Sequence, residues 1–135
     1  MFYSMKKLFF LPVLLLVYCG SAFAQDDAVN SIVGTWSGEF KDAEGKSMPF
    51  TMKITDKTYE FDFDGDGKAD LVGGYTSSGS DQITIWNTTD DESAGCPSDQ
   101  KGVYQYFFVG TSLSFNKVSD DCPGRGDEPL VLKRL

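Results

Sequence analysis

Residues 58–75 read TYEFDFDGDGKADLVGGY. On the left, Tyr59, Phe61 and Phe63 alternate with Glu60 and Asp62, the two-residue period of a half-buried strand. On the right, LVGGY is again β-like, and neither flank carries a 3.6-residue period. The centre is a run of Asp and Gly, so the stretch reads strand, loop, strand. The same alternation recurs on either side of it. Met48, Phe50, Met52 and Ile54 alternate with Pro49, Thr51 and Lys53, Ile83 and Ile85 with Thr84, and Leu113 and Phe115 with Ser112 and Ser114. Turn-forming clusters lie at 42–46, 55–57, 77–81, 87–100 and 120–127. The pattern predicts eight strands near 32–40, 48–55, 57–63, 69–76, 82–87, 102–109, 112–118 and 129–134. Eight short antiparallel strands fit a sandwich or a barrel. The expectation is all-β, a single eight-stranded antiparallel up-and-down β-barrel, because closure removes exposed edges. An eight-stranded barrel has room inside for side chains or for one small ligand.

The loop itself carries chemistry. Asp62, Asp64, Asp66 and Asp70 occupy positions 1, 3, 5 and 9 of DFDGDGKAD, and Gly67 stands at position 6, where metal loops of this spacing turn sharply. Four negative charges in nine residues repel one another unless a cation sits among them. Oxygen donors in an irregular loop suit Ca²⁺ better than Mg²⁺. The expected ligands are these four carboxylates and the backbone carbonyl of Lys68 at position 7. A helix–loop–helix calcium site would close with Glu at position 12, where this chain has Gly73, and its flanks would be helical. The loop instead resembles the calcium loops of FG-GAP and VCBS repeats, which join two strands. Those repeats come in arrays and this chain has one copy, so the likeness is to the loop and not to a propeller. A plain hairpin would need one Asp-Gly pair rather than four spaced aspartates. The expected role of structural Ca²⁺ is to fix the turn, with a Kd on the order of 10⁻⁴–10⁻³ M.

The first 24 residues read as a signal peptide. MFYSMKK is a basic start, LFFLPVLLLVY an apolar core, and Ala22-Phe23-Ala24 a cleavage site before Gln25. The apolar run is shorter than the ~20 residues that a membrane helix needs, so no transmembrane segment is expected. A second reading makes Leu16-Val17-Tyr18-Cys19 a lipobox with Cys19 lipidated, although Tyr18 fits that role poorly. Residues 25–135 then form one exported domain, periplasmic or extracellular. Of the 12 basic residues Lys6 and Lys7 leave with the leader, so 10 face 20 acidic ones. That balance argues against nucleic acid and anionic membrane surfaces as partners. Cys96 and Cys122 are the two cysteines left, and export makes a disulfide between them the expectation. It would close a loop of about 27 residues, worth roughly 3–4 kcal/mol on the chain-entropy model.

Gly34-Thr35-Trp36 heads the first strand. This G-x-W resembles the signature of lipocalins and of the wider calycin group, and GVYQYFFVGTSLSFNKVSDDCPGR (102–125) is similar to the tail of small exported bacterial lipocalin-like proteins. The resemblance implies a lipocalin-like barrel over 25–135, in which Trp36 closes one end and a basic residue of the last strand packs across its ring. Arg134 is placed for this, ahead of Lys133 and Arg125. Ligand-binding residues cannot be carried over from the family.

Without a histidine the chain has no Ser-His or Cys-His pair, and an enzyme is not expected. The first functional reading is a monomeric binding module for a small apolar ligand. Its candidate inward aromatics are Phe50, Phe61, Tyr75, Trp86, Tyr104, Tyr106 and Phe115, most of which a chain this short would use as barrel filling. The alternative is a cell-envelope interaction protein, such as a protease inhibitor, that presents loops to a protein partner. Phe107-Phe108 marks a place for an exposed apolar patch, because adjacent strand residues face opposite ways.

Overall fold

The computed structural model describes residues 31–89 and 95–135. Its strands are β1 (Gly34–Lys41), β2 (Ser47–Ile54), β3 (Thr58–Asp62), β4 (Leu71–Ser77), β5 (Gln82–Asn87), β6 (Gly102–Val109), β7 (Ser112–Asp120) and β8 (Leu130–Arg134). Each pairs antiparallel with its sequence neighbour, and β8 returns to β1 through Trp36 opposite Arg134 and Ser37 opposite Lys133. The fold is the expected all-β closed up-and-down barrel of eight strands. The leader expected at 1–24, with Cys19, lies outside the described residues, as do residues 90–94. Among the described residues no helix is long and apolar enough to cross a membrane.

Strand alternation decides what points inward. Trp36 pairs with Met52 and Gly38 with Phe50. Tyr59 and Phe61 on β3, Tyr75 on β4, Ile83 on β5, Tyr104 on β6, Leu113 and Phe115 on β7 and Leu132 on β8 complete the buried core. The connections from β1 to β2, β3 to β4, β5 to β6 and β7 to β8 leave their strands at one end of the barrel, the mouth. The short turns at 55–57, 78–81 and 110–111 lie at the other end, the base. The last of these is a two-residue hairpin whose Gly110 has φ 61°, a conformation that favours glycine.

Trp36 seals the base and is wholly buried. Its indole Nε1 donates to Ile32 O at 2.8 Å. The Arg134 guanidinium lies 4.2 Å from the ring centroid and donates to Val33 O at 3.2 Å and Ser31 O at 2.6 Å. A Cβ at Gly34 would come within 2.6 Å of Arg134 Nη1, so the glycine of the G-x-W makes room for the arginine. Such a cation over an aromatic face contributes roughly 0.5–2 kcal/mol.

Strands β6 and β7 differ from simple alternation. Val103 pairs with Ser119 but Tyr104 with Lys117, which leaves Val118 as a one-residue bulge. Inward positions are odd up to Lys117 and even beyond it, so Asp120 turns into the barrel opposite Gly102. A Cβ at Gly102 would run into the Asp120 carboxylate. A bulge that re-aims a side chain in this way is a recurrent device at barrel rims.

Candidate functional site

The barrel is not filled. A cavity of about 520 Å³ runs from Met52, Ile54 and Ile83 past Tyr59, Phe61, Tyr75, Ile85 and Phe115 to a mouth formed by Phe40, Phe63, Leu71 and the segment 124–130. This volume lies within the range of small-molecule sites, and the lining is mostly apolar. Of the expected inward aromatics, Phe61, Tyr75, Tyr104 and Phe115 line the cavity, while Phe50 and Tyr106 pack in the interior beside it. Trp86 is a correction. It pairs with Gly74 one position out of step with inward Ile85 and Asn87, so its ring lies on the outer face. There it covers Gly74, and Lys101 Nζ stands 5.7 Å from the ring centroid. Phe107 and Phe108 divide as alternation requires. Phe108 packs near Trp36, and Phe107 is 42% exposed.

Polar groups collect at the mouth end. Asp120 has a fully buried side chain. Arg125 Nε donates to Asp120 Oδ2 at 2.6 Å and Nη2 to Oδ1 at 3.0 Å, a bidentate pair. Arg125 Nη2 also donates to Gln100 O at 2.8 Å, Tyr104 Oη donates to Asp120 Oδ2 at 2.7 Å, and Cys122 N donates to Oδ1 at 2.9 Å. Burial pushes the Asp120 carboxyl up, but the Arg125 guanidinium, the Tyr104 hydroxyl and the Cys122 N–H together hold it below the ordinary carboxylate value. Burial and the bond to Asp120 raise the Tyr104 hydroxyl. Nearby, Tyr59 Oη reaches Asn87 Oδ1 at 2.7 Å and Trp86 O at 3.0 Å. Asn87 is 1% exposed and continues the inward parity of Ile83 and Ile85. Among the described residues, Asn87 Nδ2 and Arg125 Nη1 are buried donors without a hydrogen-bond partner. Each such group costs about 1–3 kcal/mol.

The disulfide joins Cys96 in the β5–β6 loop to Cys122 in the β7–β8 loop, with Cα atoms 5.2 Å apart. It ties together two of the mouth loops, one of which carries Arg125.

The acidic loop lies at the same end. Asp62 Oδ1 accepts from Gly65 N at 2.7 Å and Oδ2 from Gly67 N at 2.8 Å. Gly65 and Gly67, with φ 75° and 81°, supply the left-handed turns that wrap the backbone around this carboxylate. Asp70 Oδ2 accepts from Phe63 N at 2.7 Å, and Asp70 N donates to Phe61 O. These bonds end β3 at Asp62 and hold β4 back until Leu71, so both strands are shorter there than expected. Oxygens of Asp62, Asp64 and Asp70 lie within 4.8 Å of one another. Asp66 is outside that group, and its Oδ1 accepts from Lys68 N at 2.8 Å. The crowding separates the two nearest acids. For Asp62, desolvation is outweighed by the Gly67 and Gly65 N–H bonds and its contacts with Asp64, and the carboxyl is held below its ordinary value. For Asp64, the Asp66 N–H pulls down, but desolvation, the charges of Asp66 and Asp70 and the bond to Asp62 prevail and raise it.

The sequence reading did not anticipate the Asp120–Arg125–Tyr104 network or Asn87. The signal for Asn87 was present, a polar residue in step with Ile83 and Ile85. No such signal existed for Asp120, whose direction depends on the bulge. No protein-family model, curated protein or solved structure matches this chain.

Proposed function

We propose that the protein is a lipocalin-like binding module that holds a small, largely apolar ligand in the barrel, with a structural Ca²⁺ in the loop beside the mouth. The observation that carries this reading is the cavity of about 520 Å³ under an apolar lining, in a chain of a size that would be expected to fill its barrel. The neutral dye N-phenylnaphthylamine is the probe. It should bind saturably at one site, and Ile85→Trp, which fills the cavity, should weaken binding at least about tenfold, equivalent to ~1.4 kcal/mol. Absent binding, or binding that Ile85→Trp leaves untouched, would sink the proposal.

For the loop, the donor set fits a hard dication, with three carboxylates whose oxygens are already gathered. Asp62, Asp64 and Asp70 are the proposed ligands from the gathered group, and Asp66 and the Lys68 carbonyl complete the set that the spacing predicts. Bound Ca²⁺ would neutralise the mutual repulsion of the acids and pin β3 to β4. With a Kd on the order of 10⁻⁴–10⁻³ M, about 10 mM Ca²⁺ should stabilise the fold by roughly 1.4–2.7 kcal/mol. That corresponds to a rise in Tm of about 5–15 °C. EDTA should reverse the shift and Asp64→Ala should abolish it. An unchanged melting curve with and without Ca²⁺ would count decisively against a metal in the loop.

A further inference from the structure

We infer that the ligand is a cationic amphiphile, whose apolar chain lies in the barrel while an ammonium head stays at the mouth against Phe40 and Phe63. The inference rests on the reading of the barrel as a binding module and names the class of molecule that it holds. Charge is divided unevenly along the barrel axis. In their described residues the four mouth connections carry nine acidic side chains and four basic ones, whereas the three base turns carry Asp56, Asp81 and Lys57. The strand ends deepen the contrast. Asp62 and Asp120 close β3 and β7 at the mouth, and Lys133 and Arg134 close β8 at the base. A Ca²⁺ in the acidic loop would offset two of the mouth's negative charges and leave it acidic. An apolar chamber that opens into such a region concentrates cations at its entrance.

The cavity lining has the same sign once its ion pairs are set aside. Arg125 is matched by Asp120 through two hydrogen bonds, and Asp127 by Lys117 at 3.2 Å. The charged lining residues that remain are Glu39, Glu128 and Lys41. Lys41 is the one that favours an anion, but it shares the outer face of β1 with Glu39 and directly precedes Asp42. An anion drawn to it would meet both carboxylates. Aromatic rings add an attraction that only a cation uses. Phe40 and Phe63 line the mouth, with ring centroids 5.7 Å apart. Phe40 stacks on Phe50 at 4.3 Å and is still 40% exposed. The face of such a ring is negative, so it attracts an ammonium group and repels an anion.

The test sets three probes with the same decyl chain, decyltrimethylammonium, decanol and decyl sulfate, against N-phenylnaphthylamine bound to the purified protein. At about 0.01 M salt the cation is expected to displace the dye at least about tenfold more tightly than the sulfate, with decanol between them. Raising the salt to about 0.15 M should narrow that gap at least about threefold by screening. The double substitution Glu39→Gln and Glu128→Gln should narrow it by about as much. Phe40→Leu keeps an apolar side chain and removes the ring, so it should weaken the cation about threefold and decanol less than about twofold. Decyl sulfate binding as tightly as the cation, or a gap indifferent to salt, would overturn the cationic assignment and leave the apolar site standing. So would a cation that binds without displacing the dye, which marks attraction to the acidic surface alone. Failure of all three probes and of the dye would overturn the binding-module reading itself. Should Phe40→Leu not fold, the probe series and its salt dependence on the unaltered protein decide alone.

Discussion

Trp36→Ala is expected to remove about 3–5 kcal/mol of folding stability, the range for truncating a fully buried large aromatic. The side chain is wholly buried at the base of the barrel, and its ring is sandwiched in the sense that Arg134 covers one side while Phe108 packs at 6.5 Å between ring centroids. Truncation leaves a void that the closed sheet cannot collapse into, because β1 is held on both sides by β2 and β8. It also removes the donor to Ile32 O. Against a total of about 5–15 kcal/mol for a domain, the loss should lower Tm on the order of 15–30 °C. Urea unfolding followed by circular dichroism measures it. A loss below about 1 kcal/mol would show that the base is not sealed by this residue.

Asp120→Ala is the second large effect, also about 3–5 kcal/mol, because it strands a charged partner in a buried pair. Arg125, with 13% of its side chain exposed, would keep its charge and lose two hydrogen bonds, while Tyr104 Oη and Cys122 N would each lose an acceptor. The effect carries a pH signature. The Asp120 carboxyl is held below its ordinary value of 3.8, so the folded state binds its proton less readily than the unfolded chain. Its contribution is therefore complete above about pH 4 and is lost as the pH falls through the lower, folded-state value. Denaturant titrations between about pH 7 and pH 2 should show Asp120→Ala with the larger deficit at neutral pH and a flatter acid limb. Parallel acid limbs in the two proteins would separate Asp120 from that loss.

Much of the barrel was legible because its strands obey a period of two that is readable residue by residue. Met52, Ile54, Ile83 and Phe115 face inward as their alternation demands, and the turns fall where Gly, Asp and Ser cluster. The acidic loop was legible as a cluster because its spacing is local, and the structure gathers Asp62, Asp64 and Asp70 from it. What escaped depends on pairing across strands. Trp86 looked like core by residue type, yet its partner Gly74 shows that the outer face accommodates the ring. The polar end of the cavity escaped for the same reason. Arg125 sits in a loop that reads as a turn, and it meets Asp120 only because β7 changes parity. A periodicity reading assumes one parity per strand and cannot register the change.

That change of parity at Val118 gives β7 two grammars. From Leu113 to Lys117 the odd positions face the interior, and they include the apolar floor residues Leu113 and Phe115. From Ser119 onward the even register takes over and delivers a carboxylate. The two halves are thus written in different frames, and the residue between them is 54% exposed. Substitutions that reshape the floor need not disturb the polar end, and the reverse holds too. One strand therefore lets the volume of the chamber and the chemistry of its entrance vary as separate traits.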